Sequence, residues 1–196
     1  LLFVCNIGSD NTKEIHHSGI EISEVKIESL MLASLFHERG LTVTKEKVHG
    51  LASANIYKDY FRKNKAFPDL QDEIIFAIEK HDDKTYHEHH QLVESSSLNL
   101  LTALGISDDL DAFGNLGIYR YLEIYLMRSI PIEDIGLKVR ANLSGRFGHF
   151  EANCKKYRNF LKIHTSRFKI AEDFFRQYVK EINKKDDLYE KHNSGY

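Results

Sequence analysis

The feature that most constrains this chain is that it holds two prolines in 196 residues. Proline removes a backbone donor and pushes the residue before it out of the helical region, so a chain nearly without it meets few forced breaks. Alternating β-branched runs, which would direct it into strands, are scarce. Apolar residues recur at helical spacing instead, and the sequence predicts an all-α fold, a single-domain helical bundle.

Leu30, Met31, Leu32, Leu35 and Phe36 read as an apolar helix stopped by Gly40. Val48, Leu51, Ala52, Ile56, Tyr57, Tyr60 and Phe61 follow as a second helix up to a loop at Ala66 to Pro68, and Leu70, Ile74, Ile75, Ala77 and Ile78 as a third that ends near His81. Asp82 to His90 lacks periodicity and reads as an exposed loop. Ser95 to Ser97 is placed to cap a helix carrying Leu98, Leu101, Leu104, Leu110 and Phe113. Gly114 and Gly117 flank a turn before a tyrosine-rich helix with Leu116, Tyr119, Leu122 and Leu126. Pro131 with Glu133 and Asp134 starts another. Helices around Phe150 to Leu161 and Phe168 to Ile182 complete one domain over 1–183, with a charged, fraying tail over 184–196. A chain of this size buries roughly 70% of its unfolded surface, so a bound metal would serve chemistry rather than folding.

Charge narrows the function. With 27 basic against 29 acidic side chains and a net charge of −2, the chain has no footprint for duplex nucleic acid or an anionic membrane. No apolar run is long enough to span a bilayer, and Leu1 to Cys5 is too short for a signal-peptide core; a cytoplasmic protein is expected. The absence of an initial Met suggests that part of the natural start is missing. Cys5 and Cys154 stand apart without paired spacing and read as single apolar thiols.

Eleven histidines carry more by placement than by number. His37 and Glu38 close an apolar helix, His49 opens the next, His81 ends the third, and Asp108 and Asp109 interrupt a fourth. Polar groups buried there without partners would cost several kcal/mol, so they call for a common solution, a bound cation or a dense hydrogen-bond network. Imidazole with carboxylate and no thiolate suits Mn, Fe, Co, Ni or Zn, with Mg also conceivable.

Four segments then carry a resemblance: Leu30 to Gly40 (LMLASLFHERG), Val48 to Ile56 (VHGLASANI), Ala77 to His81 (AIEKH) and Ile106 to Arg120 (ISDDLDAFGNLGIYR). In this order they resemble the HD-domain metal-dependent phosphohydrolases, in their small bacterial members, with Glu38 where that family has Asp. The stretch from Phe150 through Thr165 to Ile182 resembles the family's closing helix pair. The resemblance implies an α-helical bundle holding a divalent transition metal and hydrolysing a phosphoester or phosphoanhydride of a nucleotide or other small phosphorylated metabolite. It makes His37, Glu38, Asp108 and an earlier histidine, His17 in preference to His16, the metal ligands. His49 and His81 become residues of the phosphate pocket, catalytic in protonating the leaving oxygen or, in two-metal relatives, binding a second ion. Arg120 becomes a contact to phosphate or to a structural acid, and Lys84, with Lys45 and Lys47, a candidate to hold phosphate. Asp109 stands where the family has Arg. Glu38 and the displaced early histidine leave a second function open: an HD-like helical domain without catalysis that serves as a binding or regulatory module.

Overall fold

The computed structural model describes residues 24–44, 49–65, 69–83 and 99–193. Among them every regular element is helical: α1 (Glu24–Phe36), a 3₁₀ turn (Arg39–Thr42), α2 (Gly50–Asn64), α3 (Gln71–Lys80), α4 (Leu100–Asp111), α5 (Gly114–Met127), α6 (Ile132–Cys154) and α7 (Arg158–Asn193). The all-α expectation holds. The chain divides into two compact units, Leu1–Asp108 and Asp109–Tyr196.

In the first unit, α2 packs against α3 and against the 3₁₀ turn, and α1 packs against α3. The apolar residues at helical spacing converge here: Ala33 and Phe36 of α1, Ala54, Tyr57 and Phe61 of α2, Ile74, Ala77 and Ile78 of α3, and Leu100, Leu101 and Leu104 of α4 form one core. Phe36 meets the Tyr57 ring edge-on at 5.2 Å between centroids. The serines expected to cap α4, Ser95 to Ser97, lie outside the described residues; at its start Asn99 Oδ1 accepts the Thr102 amide at 2.8 Å. Leu104 anchors α4 in the core, and Asp108 follows one turn later on the same face.

The second unit packs α6 on α7, with α5 against both. Phe113, Phe150 and Phe175 are fully buried, and Phe147 stacks on Phe168 at 4.0 Å. Three boundaries differ from the sequence expectation. The helix placed around Phe150 to Leu161 is the end of α6 and the start of α7, separated at 155–157. Gly114 and Gly117 lie in the first turns of α5 rather than before it. The last helix runs on to Asn193, and the Thr165 of the closing motif lies inside it.

Candidate functional site

The site begins with the way two helices end. The last carbonyls of an α-helix have no partner within it. After α1 the His37 Nδ1 donates to Ser34 O at 2.8 Å, and after α3 the His81 Nδ1 donates to Ile78 O at 2.7 Å. A carbonyl only accepts, so both imidazoles carry a proton on Nδ1, and in the neutral ring the lone pair is left on Nε2. Each side chain thereby closes its helix and presents a ligand nitrogen.

Two glycines let those helix ends approach. A Cβ on Gly40 would overlap His49 O and Ser53 Oγ; one on Gly50 would overlap Glu79 O and Ile78 O. Ser53, fully buried in α2, fixes the first approach: it donates to His37 O at 2.5 Å and accepts the Gly40 amide at 2.7 Å. Asp82, one residue past His81, fixes the second: its Oδ2 accepts the His49 amide at 2.5 Å and the Gly50 amide at 3.2 Å.

Three histidine rings and three carboxylates meet as a result. His37 Nε2 stands 4.0 Å from Asp108 Oδ1, its side chain 5% exposed, and has no hydrogen-bond partner among the described residues. Two ligands bound at roughly 2.0–2.2 Å to one ion lie up to about 4.4 Å apart, so His37 and Asp108 can share one. The Glu38 carboxylate belongs to the same group, with ligand atoms of all three residues within 4.8 Å of one another. A second group of the same kind joins His49, His81 and Asp82. The His81 ring lies 5.1 Å from His37 and 5.0 Å from His49, edge-on to each. Burial pushes the His81 imidazole below its usual value, and the neighbouring His37 adds to the shift; His81 is held neutral, the form in which it binds a metal or accepts a proton.

His37 and Glu38 do not sit on the helix, where adjacent side chains would diverge by about 100°. They occupy the turn after α1, with Glu38 at φ −97° and ψ 1°. Of the residues singled out from sequence, His37, Glu38, His49, His81 and Asp108 come together. His17, with His16, lies outside the described residues, as do Lys84, Lys45, Lys47, His87, His89 and His90. Arg120 is in the second unit, where its guanidinium donates to Asp111 Oδ2 at 3.0 Å, the partnership with a structural acid. Asp82, placed by the sequence reading in an exposed loop, is instead a half-buried member of the site. Its sequence signal lies at the far side of the contact: α2 starts at His49-Gly50 with no Ser, Thr, Asp or Asn to cap it, so its first amides need an acceptor from elsewhere.

The second unit has ionic contacts of its own. Asp109 pairs with His149 Nδ1 at 2.5 Å and with Arg146 at 3.4 Å, so both partners of this carboxylate come from α6. Arg167 donates to the last carbonyls around α4, Leu110 O and Phe113 O, at 3.0 Å each, and to His164 Nδ1 at 3.0 Å. Burial, with the Arg167 charge behind it, pushes His164 down to about 4. Cys154 is buried and pushed up to about 12, mainly by burial, which makes it the inert apolar thiol expected.

No protein-family model, curated protein or solved structure matches this chain. No helix among the described residues is long and apolar enough to cross a membrane.

Proposed function

We propose that the first unit is the catalytic centre of a metal-dependent phosphohydrolase of HD-like type, acting on a phosphoester or phosphoanhydride of a nucleotide or comparably small metabolite. The observation that carries this reading is His37 Nε2, buried without a hydrogen-bond partner among the described residues and aimed at the Asp108 carboxylate, with Glu38 in reach. A buried nitrogen lone pair beside two carboxylates is costly when nothing is bound between them, and a divalent cation satisfies all three. Mixed nitrogen and oxygen donors without thiolate favour Mn, Fe, Co, Ni or Zn.

His37, Glu38 and Asp108 would hold the ion. When bound, it supplies Lewis acidity toward a phosphoryl oxygen and a water acidified toward neutral pH. His81, neutral and half-buried, is suited to accept a proton or to stabilise a bound phosphate through its ring. His49, beside the Asp82 carboxylate at 3.1 Å, is suited to donate one to the leaving oxygen. The buried wall formed by α1, α2 and α3 keeps bulk water from one side of these groups. The near balance of charge supports a small anionic substrate over a polymer.

The test is metal analysis of protein purified without chelator, followed by a panel of nucleoside mono-, di- and triphosphates with Mn, Co, Ni, Zn or Mg, read by phosphate or pyrophosphate release. Bound divalent metal and turnover that both fail in His37→Ala and Asp108→Ala are expected. Metal-free protein, silent across the panel, overturns the enzyme and leaves the non-catalytic binding module.

A further inference from the structure

The end of α1 is decided from another helix. No proline follows it closely, since the chain's two prolines are Pro68 and Pro131. Nor does Gly40 take the left-handed conformation with which glycine commonly closes a helix; among the described glycines only Gly114 has a positive φ. His37 still belongs to the ladder of α1, with its amide bonded to Ala33 O at 2.9 Å and its Nδ1 to Ser34 O at 2.8 Å. Were the helix to continue, Gly40 N would donate to Phe36 O and Leu41 N to His37 O, each four residues back. One side chain intercepts both bonds. Ser53 Oγ, fully buried in α2, accepts the Gly40 amide at 2.7 Å and donates to His37 O at 2.5 Å, and Leu41 N turns to Glu38 O at 3.1 Å. A hydroxyl has the one proton and the lone pairs that this double role needs. The diverted turn contains Glu38, at φ −97° and ψ 1°, and its carboxylate lies within 4.8 Å of ligand atoms of His37 and Asp108. On a continued helix Glu38 would point about 100° away from His37.

We propose that Ser53 is a positioning residue for Glu38: by taking two backbone groups that would carry α1 onward, it turns the chain so that the adjacent His37 and Glu38 face one ion. The ion rests on the phosphohydrolase reading; the turn does not.

The experiment is a double-substitution cycle on the full chain, read by titration calorimetry with Mn²⁺. Ser53→Ala should lower the affinity about 10- to 100-fold, the range for removing a group that orients a metal ligand. In the Glu38→Gln background the same change should cost less than about threefold, because the carboxylate that Ser53 positions is already gone. Equal losses in both backgrounds would mean that the hydroxyl supports the unit as a whole, and they overturn the proposal, as does an unchanged affinity in Ser53→Ala. A measurement on the wild type needs no variant to fold. The Gly40 amide, held by Ser53, should exchange with solvent as slowly as the amides inside α2, and exchange at the rate of an open turn overturns the proposal. A wild type that takes up no metal overturns the phosphohydrolase reading instead, and Gly40 exchange still decides whether Ser53 holds the turn.

Discussion

At the scale of single residues, the chemistry follows from which atoms the fold commits and which it leaves over. His37 spends Nδ1 on Ser34 O and keeps a buried Nε2; Glu38 leaves the helix and reaches the same place. Glu38→Gln keeps the shape and removes a negative charge, so metal affinity should fall by about tenfold or more while the Tm of the metal-free protein holds or rises, because one of two neighbouring acids is gone. Titration calorimetry with Mn²⁺ or Zn²⁺ checks it, and equal affinity would place Glu38 outside the ligand set. His164 gives a second prediction. The folded chain keeps it neutral down to about pH 4, whereas an unfolded histidine takes up a proton near 6.5. Its contribution to stability is therefore complete above about pH 6.5 and is lost as the pH falls, by about 1.4 kcal/mol per unit, until both states are protonated below about 4. The loss amounts to about 3 kcal/mol. His164→Gln, which keeps an acceptor for Arg167, should flatten the fall of Tm between those limits; an unaltered slope would place the acid sensitivity elsewhere. The meeting of His37, His49, His81 and Asp108 was legible in sequence because each is a polar interruption of an apolar helix. Asp82 was not, because it stands at the head of a polar stretch and its partners are amides 32 and 33 residues away.

At the scale of elements, the site depends on three helix ends being closer than ordinary side chains permit. Gly40 brings the turn after α1 onto the start of α2, and Gly50 brings that start onto the end of α3. Gly40 was legible only as a helix stop, since a close approach involves residues distant in sequence. Gly40→Ala and Gly50→Ala should each cost about 1–3 kcal/mol from overpacking and weaken metal binding as the helix ends separate. At Gly145 and Gly148 of α6, a methyl group would meet nothing within 4 Å, and both positions face outward with room to spare, so alanine there should raise stability by about 0.5–1 kcal/mol. Denaturant midpoints of the four variants check the contrast, and four equal effects would contradict the close approaches. Ser53 belongs with the first pair: Ser53→Ala leaves the Gly40 amide and His37 carbonyl without their shared hydroxyl and should cost about 1–3 kcal/mol. Helix identity was legible from periodicity; the ends were less so. The boundary between α6 and α7 was hidden because an apolar stripe runs up to both sides of 155–157.

At the scale of the whole molecule, the chain is helical throughout its described elements, and the two groups of metal-competent side chains found among the described residues lie in the first of two units. Arg120, the candidate contact to phosphate or a structural acid, pairs with Asp111 within the second, where Asp109, His149 and Arg167 also have ionic or hydrogen-bonded partners. The central claim is thus that the first unit is organised around a divalent cation. Elemental analysis of the full chain purified without chelator, compared with His37→Ala purified in parallel, tests it most directly. Stoichiometric divalent transition metal is expected in the wild type, with its loss in a variant that still folds; a wild type free of metal, and taking up none from Mn²⁺, Co²⁺, Ni²⁺ or Zn²⁺ in excess, contradicts a cation-centred first unit.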